Sequence, residues 1–125
     1  MHLIIASHSK LAQGIKETLD FFAGSISADV IEQTATDSSF EERLTKSLEE
    51  HEKERCIVFT DLYGGSVNQM AFKKLSKYDF YLITGMNLPL LLEIALKEDD
   101  IDEEFIRQAV ENARQQLTFM NDLLK

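Results

Sequence analysis

Short apolar runs alternate with amphipathic segments along this chain, and this alternation is the feature that most constrains its fold. Runs rich in β-branched or aromatic residues and bounded by turn formers predict buried strands at Leu3–Ala6, Ala28–Gln33, Cys56–Thr60 and Asp79–Thr84. The segments between them carry apolar residues at helical spacing. The order β-α-β-α-β-α-β-α-α predicts an α/β fold with a doubly wound, mainly parallel sheet, strand order 2-1-3-4, and helices on both faces.

The predicted helices have recognisable start and stop signals. The first, Lys10–Phe22, has an apolar stripe at i, i+4, i+8 and i+11 counted from Leu11, and Gly24 suits its C-terminal cap. The segments Ser39–Glu42 and Ser66–Gln69 both have the spacing of a capping box, which predicts a helix start at each.

The last third of the chain predicts two more helices. Pro89 lies just inside the start of Leu88–Lys97, where its missing N–H is harmless. The acidic run Glu98–Asp102 reads as a solvated linker, and helical spacing resumes from Glu103. We expect all 125 residues to form a single domain, since no second-domain linker or internal repeat interrupts them.

Charge and cysteine content narrow the class of protein. The net charge of −9 opposes non-specific binding to nucleic acid or anionic lipid. Cys56 is the single cysteine, so the chain cannot form an internal disulfide. No apolar run approaches 18 residues and the N-terminus does not resemble a signal peptide. We therefore expect a cytoplasmic protein.

Two chemically active side chains follow two of the predicted strands. His8 comes after the first strand and Asp61 directly after the third. In a sheet of order 2-1-3-4 these strands are neighbours and flank the switch point, where doubly wound proteins bind ligands. We expect the two residues to meet there, although they lie 53 positions apart.

Such a pair suits nucleophilic chemistry. A carboxylate that accepts one imidazole N–H fixes the tautomer and leaves a lone pair on the other ring nitrogen. Gly64 and Gly65 allow close approach of the backbone, and Ser66 adds a hydroxyl at a helix N-terminus that suits an anion. Taken singly, each of these could serve only a turn or a cap. Together they favour phosphoryl transfer through phosphohistidine.

The sequence predicts no cofactor and no metal site. No His or acidic residue lies at a convincing metal-ligand spacing around His8. His2 begins a strand, and His51 lies in a charged stretch that reads as a solvated helix end.

Three segments give the chain a family resemblance: Ile5–His8, Thr60–Asn68 and Thr84–Glu93. In order and spacing they resemble the EIIA components of mannose-class sugar phosphotransferase systems (PTS) of bacteria. Two positions depart from the usual pattern, which has Gly where this chain has Ser9 and Pro where it has Val67.

The resemblance implies a carrier that accepts a phosphoryl group from HPr on His8 and passes it to an EIIB component. It implies that Asp61 holds the imidazole, that Gly64 to Ser66 line the phosphoryl site, and that the loop 86–88 lies nearby. It also implies contact with the membrane only through EIIC and EIID. Members are homodimers that commonly exchange a C-terminal strand, which here would be Leu117–Met120 and would add a fifth, antiparallel strand from the partner subunit.

Three other readings remain open. Ser7-His8-Ser9 also resembles the phosphoryl-donor subunit of PTS-dependent dihydroxyacetone kinases, although that group typically lacks the Gly-Gly-Ser turn. A receiver-type regulatory domain would be phosphorylated on Asp61, but it needs an acidic pair after the first strand to hold Mg²⁺. A non-catalytic nucleotide or flavin module would bind ligand without a covalent phosphate.

Overall fold

The chain alternates strands and helices in the predicted order. A computed structural model describes residues 1–36 and 38–125. The elements are β1 (His2–His8), α1 (Leu11–Ala23), β2 (Ala28–Gln33), α2 (Phe40–Glu50), β3 (Cys56–Thr60), α3 (Ser66–Lys74), β4 (Tyr81–Thr84), α4 (Leu88–Ala95), α5 (Glu103–Arg114) and a closing 3₁₀ helix (Met120–Leu124). They form two compact units, residues 1–86 and 87–125.

The first unit is built on a four-stranded parallel sheet with the order β2-β1-β3-β4. β1 is central, because Ile5 pairs with Val30 of β2 on one side and with Phe59 of β3 on the other. β1 and β3 are almost entirely buried, as expected for strands covered on both faces. The predicted α/β class and strand order 2-1-3-4 are confirmed, and the carboxyl ends of β1 and β3 lie side by side.

Helices cover both faces of this sheet. Successive strand residues point to opposite sides, so each central strand contributes to two apolar layers. One layer packs against α2 and α3 and contains Ile4, Ala6, Ile31, Phe40, Leu44, Leu48, Cys56, Val58, Val67, Ala71 and Phe80. α1 contacts β1 and β2 and buries Ala12 and Leu19, neither of which belongs to this layer, and the general right-handedness of parallel crossovers places it on the other face.

The apolar stripe predicted for α1 is only partly correct. Leu19 is fully buried, but Leu11 at the start of the stripe is 50% exposed and Phe22 at its end is 60% exposed. Ala12 takes the buried position in the first turn because its small side chain lets the helix approach the sheet closely. The predicted stop is confirmed: Gly24 follows the last helical residue with a φ of +78°.

Neither predicted capping box forms. Ser39 occupies the N-cap position of α2, but its hydroxyl accepts a hydrogen bond from Nε of Arg43. Ser66 is the first residue of α3, which Gly65 precedes at the N-cap. The predicted helix starts are confirmed, but the capping hydrogen bonds are not, because Ser39 pairs with Arg43 one turn along α2 and Ser66 pairs with His8 and Gln33.

Two strand bounds also differ from the predicted ones. β1 extends from His2 through His8, since both ends of this strand pair with neighbours in the sheet. β4 begins at Tyr81, two residues later than predicted.

The second unit packs α4 against α5. Asn87 caps α4 by accepting a hydrogen bond from the Leu90 N–H, and its amide donates to the Ala113 carbonyl at the end of α5. Asp102 ends the predicted linker and caps α5 by accepting from the Phe105 N–H. None of the helices in residues 1–36 and 38–125 is long and apolar enough to cross a membrane.

Candidate functional site

The site lies where β1 and β3 end. His8 is the last residue of β1, and Asp61 follows Thr60 at the end of β3. Because the two strands pair in parallel, their carboxyl ends reach the same edge of the sheet. The structure therefore brings His8 and Asp61 together.

A single carboxylate oxygen holds both the backbone and the ring of His8. Oδ2 of Asp61 accepts the His8 backbone N–H at 2.8 Å and faces Nδ1 of the same residue at 2.9 Å. Two contacts from one acceptor set both the position and the rotation of the imidazole. The Asp61 side chain is 10% exposed and that of His8 is 41% exposed, so the ring is reachable from solvent while its anchor is not.

The electrostatics favour an ionised Asp61. Burial raises the pKa of this carboxyl, but the backbone and ring hydrogen bonds from His8 outweigh that effect and hold the pKa below its ordinary value. A carboxylate beside Nδ1 accepts a hydrogen bond from the single N–H of a neutral imidazole, so the ring proton lies on Nδ1. Nε2 is then the ring nitrogen that carries the lone pair.

A serine hydroxyl faces that second nitrogen. Oγ of Ser66 lies 3.0 Å from Nε2 of His8 and donates to Oε1 of Gln33 at 2.7 Å. The hydroxyl has one hydrogen, so Gln33 and the Nε2 lone pair compete for it. The contact with Gln33 thus determines whether the Ser66 hydroxyl turns its hydrogen or an oxygen lone pair toward Nε2 of His8.

Gln33 is a site residue that the sequence reasoning missed. It ends β2, the strand next to β1, and its carbonyl also accepts the Ser9 N–H at 2.8 Å. Its place at the end of a strand beside the switch point was the signal that could have identified it.

The two glycines play different parts. Gly64 has a φ of +78°, a conformation that glycine adopts without strain. Gly65 has an ordinary φ but no room for a side chain, because a Cβ there would lie 3.1 Å from Cε1 of His8 and 3.2 Å from the Leu62 carbonyl oxygen. The turn therefore presses against the imidazole ring.

The start of α3 presents free backbone donors beside this turn. The Gln69 N–H bonds to the Gly65 carbonyl, so the N–H groups of the three preceding residues have no acceptor within the helix. With the helix dipole they make a local positive pole that suits an anion. Ser66 lies at this pole, next to Nε2.

Hydrogen bonds among threonine and asparagine side chains stabilise the end of β3. Oγ1 of Thr60 lies 3.1 Å from Oδ1 of Asn68 in α3 and 2.7 Å from Oγ1 of Thr84 in β4. Met86 donates its N–H to the Thr60 carbonyl at 3.1 Å. These contacts fix the strand end from which Asp61 projects. The expectation that the rest of the loop 86–88 lines the site stays a prediction.

The two departures from the family pattern have local explanations. Ser9 has a φ of +51°, in the left-handed region that favours glycine, so the serine is strained where the family has Gly. Val67 is fully buried in the apolar layer under α3. Neither residue removes a polar contact from the site.

The fold and this site define a doubly wound α/β protein with a carboxylate-anchored histidine at its switch point. Residues 2–113 match the family described as the PTS system fructose IIA component, of the EIIA-man type, and the chain belongs to that family. The resemblance inferred from the sequence is confirmed.

Individual relatives agree. Over 105 residues the chain is 26% identical to the PTS system sorbose-specific EIIA component of Lacticaseibacillus casei, covering 81% of this chain and 76% of that protein. A PTS IIA protein associated with the fucose utilization operon of Streptococcus pneumoniae aligns with a TM-score of 0.87 at 27% identity, over 99% of this chain and 96% of that one. The mannose/sorbose specific IIA subunit from Enterococcus faecalis shares the fold, with a TM-score of 0.86 at 22% identity over 94% and 92% of the two chains.

Proposed function

We propose that this protein is a phosphoryl carrier of a bacterial sugar PTS, which accepts phosphate from phospho-HPr on His8 and passes it to an EIIB component. Family membership supports a role in sugar phosphotransfer. The single observation that carries the finer proposal is the 2.9 Å contact between Nδ1 of His8 and Oδ2 of Asp61.

That contact supports Nε2 as the nucleophile, because Nδ1 keeps its proton toward Asp61. The lone pair of Nε2 attacks phosphorus as the P–N bond of the donor's phosphohistidine breaks, and the bonding electron pair returns to the donor imidazole. The His8 ring becomes positively charged while Nδ1 keeps its proton. The Asp61 carboxylate stabilises that charge, which lowers the barrier to transfer.

The phosphoryl oxygens need donors at the same place. The Ser66 hydroxyl and the free N–H groups at the start of α3 lie beside Nε2 and supply them, because the negative charge spreads over three equatorial oxygens during transfer. Gly64 and Gly65 shape the turn that brings these donors close. When Nε2 carries a phosphoryl group, the 3.0 Å contact between Nε2 and Ser66 is lost. The Ser66 hydroxyl then donates its hydrogen bond to a phosphoryl oxygen instead of to Gln33.

We also propose a cytoplasmic homodimer that contacts the membrane only indirectly, through EIIC and EIID. The segment after α5 exposes Leu117, Phe119, Met120, Leu123 and Leu124, each more than 60% accessible, which is costly for a free surface and suits a subunit contact. In the single chain Leu117–Met120 is not a strand. Strand exchange between subunits stays a prediction.

The test is phosphorylation by phosphoenolpyruvate, EI and HPr. We expect one phosphate per chain that is labile in acid and stable in base, and its absence in His8→Ala. Phosphate that survives acid and is released by hydroxylamine would instead identify Asp61 as the acceptor, as in a receiver domain. Ligand-dependent stabilisation without any covalent phosphate would favour the nucleotide or flavin module.

A second assay separates the two carrier roles. The phosphorylated protein is mixed either with an EIIB of the mannose class or with the ADP-loaded subunit of a dihydroxyacetone kinase. We expect rapid loss of the label to EIIB. Transfer to the kinase subunit alone would assign the protein to the dihydroxyacetone system.

A further inference from the structure

Two histidines and an aspartate meet at the opposite edge of the sheet from His8. His2 begins β1, Asp29 is the second residue of β2, and His51 follows the last residue of α2. Nε2 of His2 lies 3.1 Å from Oδ2 of Asp29, and the rings of His2 and His51 stack with centroids 3.5 Å apart. His51 lies at the end of α2, as the sequence predicted, but its ring is only partly exposed because it stacks on His2, which is 5% exposed.

The three side chains offer a ligand set for a transition metal. One nitrogen from each histidine and one oxygen of Asp29 all lie within 4.8 Å of one another. Ligand atoms in a tetrahedral site with bonds of about 2.0–2.1 Å are roughly 3.4 Å apart. The two rings stack with an interplanar angle of 6°, so their in-plane lone pairs lie in parallel planes, and at least one ring must rotate before both face the same ion.

The surroundings orient these groups as they would around a metal. Nδ1 of His51 lies 2.9 Å from the Ser47 carbonyl, so that nitrogen carries the proton and the Nε2 lone pair is available. The Ser47 hydroxyl donates to Oδ2 of Asp29 at 2.5 Å. A backbone carbonyl behind a ligating imidazole and a hydroxyl behind a ligating carboxylate are common outer-shell contacts of metal sites.

The cluster is open to solvent. The side chain of Asp29 is 42% exposed, and His51 lines a surface pocket of about 360 Å³ that both acidic and basic side chains surround. An ion can therefore reach the cluster from solvent.

We propose that His2, Asp29 and His51 form a binding site for a divalent first-row transition-metal ion, such as Zn²⁺, with water in the remaining coordination position. Two imidazoles and one carboxylate suit Zn²⁺ better than Mg²⁺ or Ca²⁺, which prefer oxygen ligands. His2 and His8 are six residue steps apart along β1, which separates this site from the phosphoryl site by about 20 Å. A bound ion would tie β1, β2 and the end of α2 together and stabilise the fold.

The test is titration of the untagged protein with ZnCl₂ in a calorimeter, with a thermal melt in parallel. We expect one ion per site in the wild-type chain with a Kd below about 10 µM. At a free ion concentration roughly one hundred times the Kd, Tm should rise by about 5–10 °C. MgCl₂ should produce neither effect.

Two variants and one control locate the ion. His51→Phe keeps an aromatic ring on His2 but removes the ligand nitrogen, and it should weaken Zn²⁺ binding at least tenfold. Asp29→Asn should do the same if His51→Phe does not fold. His8→Ala removes the other His–Asp pair and should leave the affinity unchanged.

Three results would overturn the proposal. The first is wild-type protein that shows no Zn²⁺ binding in this range. The second is binding that survives both His51→Phe and Asp29→Asn. The third is binding lost in His8→Ala, which would place the ion at the phosphoryl site.

Discussion

At the scale of single residues, the site depends on how each side chain meets the imidazole of His8. Composition and spacing predicted His8, Asp61 and Ser66 because each lies at the end of an element that topology brings to one edge. Gln33 was missed, since an amide at a strand end carries no motif of its own. Its role follows from the 2.7 Å contact with Ser66, which only three-dimensional placement reveals.

Removing the anchor should slow transfer without unfolding the protein. Asp61→Ala takes away the hydrogen-bond acceptor at Nδ1 and the charge that stabilises the phosphorylated ring. Charged hydrogen bonds of this kind contribute about 1.5–3 kcal/mol, so we expect phosphoryl transfer from HPr to fall about 10- to 100-fold. Asp61→Asn keeps an acceptor and should be intermediate. Equal rates for Asp61→Ala and the wild type would leave Asp61 a purely structural role.

Crowding the ring should also impair transfer. In Gly65→Ala the new Cβ would lie 3.1 Å from Cε1 of His8, so the ring must shift from its anchored position. We expect at least a tenfold slower phosphorylation and a loss of about 1–2 kcal/mol in unfolding free energy. Gly14→Ala is the matched control, since a Cβ there meets nothing within 4 Å. If both variants transfer phosphate at the wild-type rate, the close contact between Gly65 and the His8 ring is not needed for function.

The strained serine beside the nucleophile predicts a stabilising substitution. Ser9 has a φ of +51°, and an L-residue in that region costs about 1–2 kcal/mol that glycine avoids. Glycine loses more entropy on folding, so Ser9→Gly should gain about 0.5–1 kcal/mol in urea unfolding. Ser9→Ala keeps the strain and should gain nothing. Equal stability of the two variants would contradict a strained backbone at this position.

At the scale of elements, the sequence located the four strands and five α-helices of residues 1–36 and 38–125 but not the closing 3₁₀ helix, and side-chain partners decided element ends and buried faces. Ser39 and Ser66 have capping-box spacing, yet Arg43 and His8 engage their hydroxyls. Spacing could not foresee the contact of Ser66 with His8, because it describes a helix surface and not what packs on it. The same limit explains why the stripe predicted for α1 was only half correct.

Burial within α1 can be measured with one substitution made at two positions. Leu19 is fully buried and Leu11 is 50% exposed. Leu19→Ala should cost about 2–4 kcal/mol of unfolding free energy, because it leaves a cavity against the sheet. Leu11→Ala should cost less than about 1 kcal/mol. Similar losses for the two variants in chemical denaturation would mean that α1 is rotated from the position described.

At the scale of the whole molecule, several carboxylates link stability to pH. The folded state lowers the pKa of Asp20, Asp29, Glu41 and Asp61, each through hydrogen bonds that favour the charged form. A depressed pKa contributes stability that is complete above the unfolded value and is lost as pH falls through the folded one. Stability should therefore be highest above about pH 5 and decline on further acidification.

The double variant Asp29→Asn/Asp61→Asn tests that linkage. It removes two of the carboxylates with lowered pKa, so its unfolding free energy should depend less steeply on pH between about pH 5 and pH 3. The measurement is urea denaturation followed by circular dichroism at each pH. A slope equal to that of the wild type would show that these two groups contribute no acid sensitivity.

The sequence by itself determined the α/β class, the order of elements, the strand order and the family. The class and the order of strands and helices follow from hydrophobic periodicity, turn residues and topology, whereas the family was indicated by the resemblance of the segments Ile5–His8, Thr60–Asn68 and Thr84–Glu93. Only the tertiary structure decided the partners of each polar side chain: Gln33 on Ser66, Gly65 against His8, and His51 stacked on His2. Such contacts join residues far apart in the chain. Their distances of a few ångströms depend on how the side chains of neighbouring layers pack together.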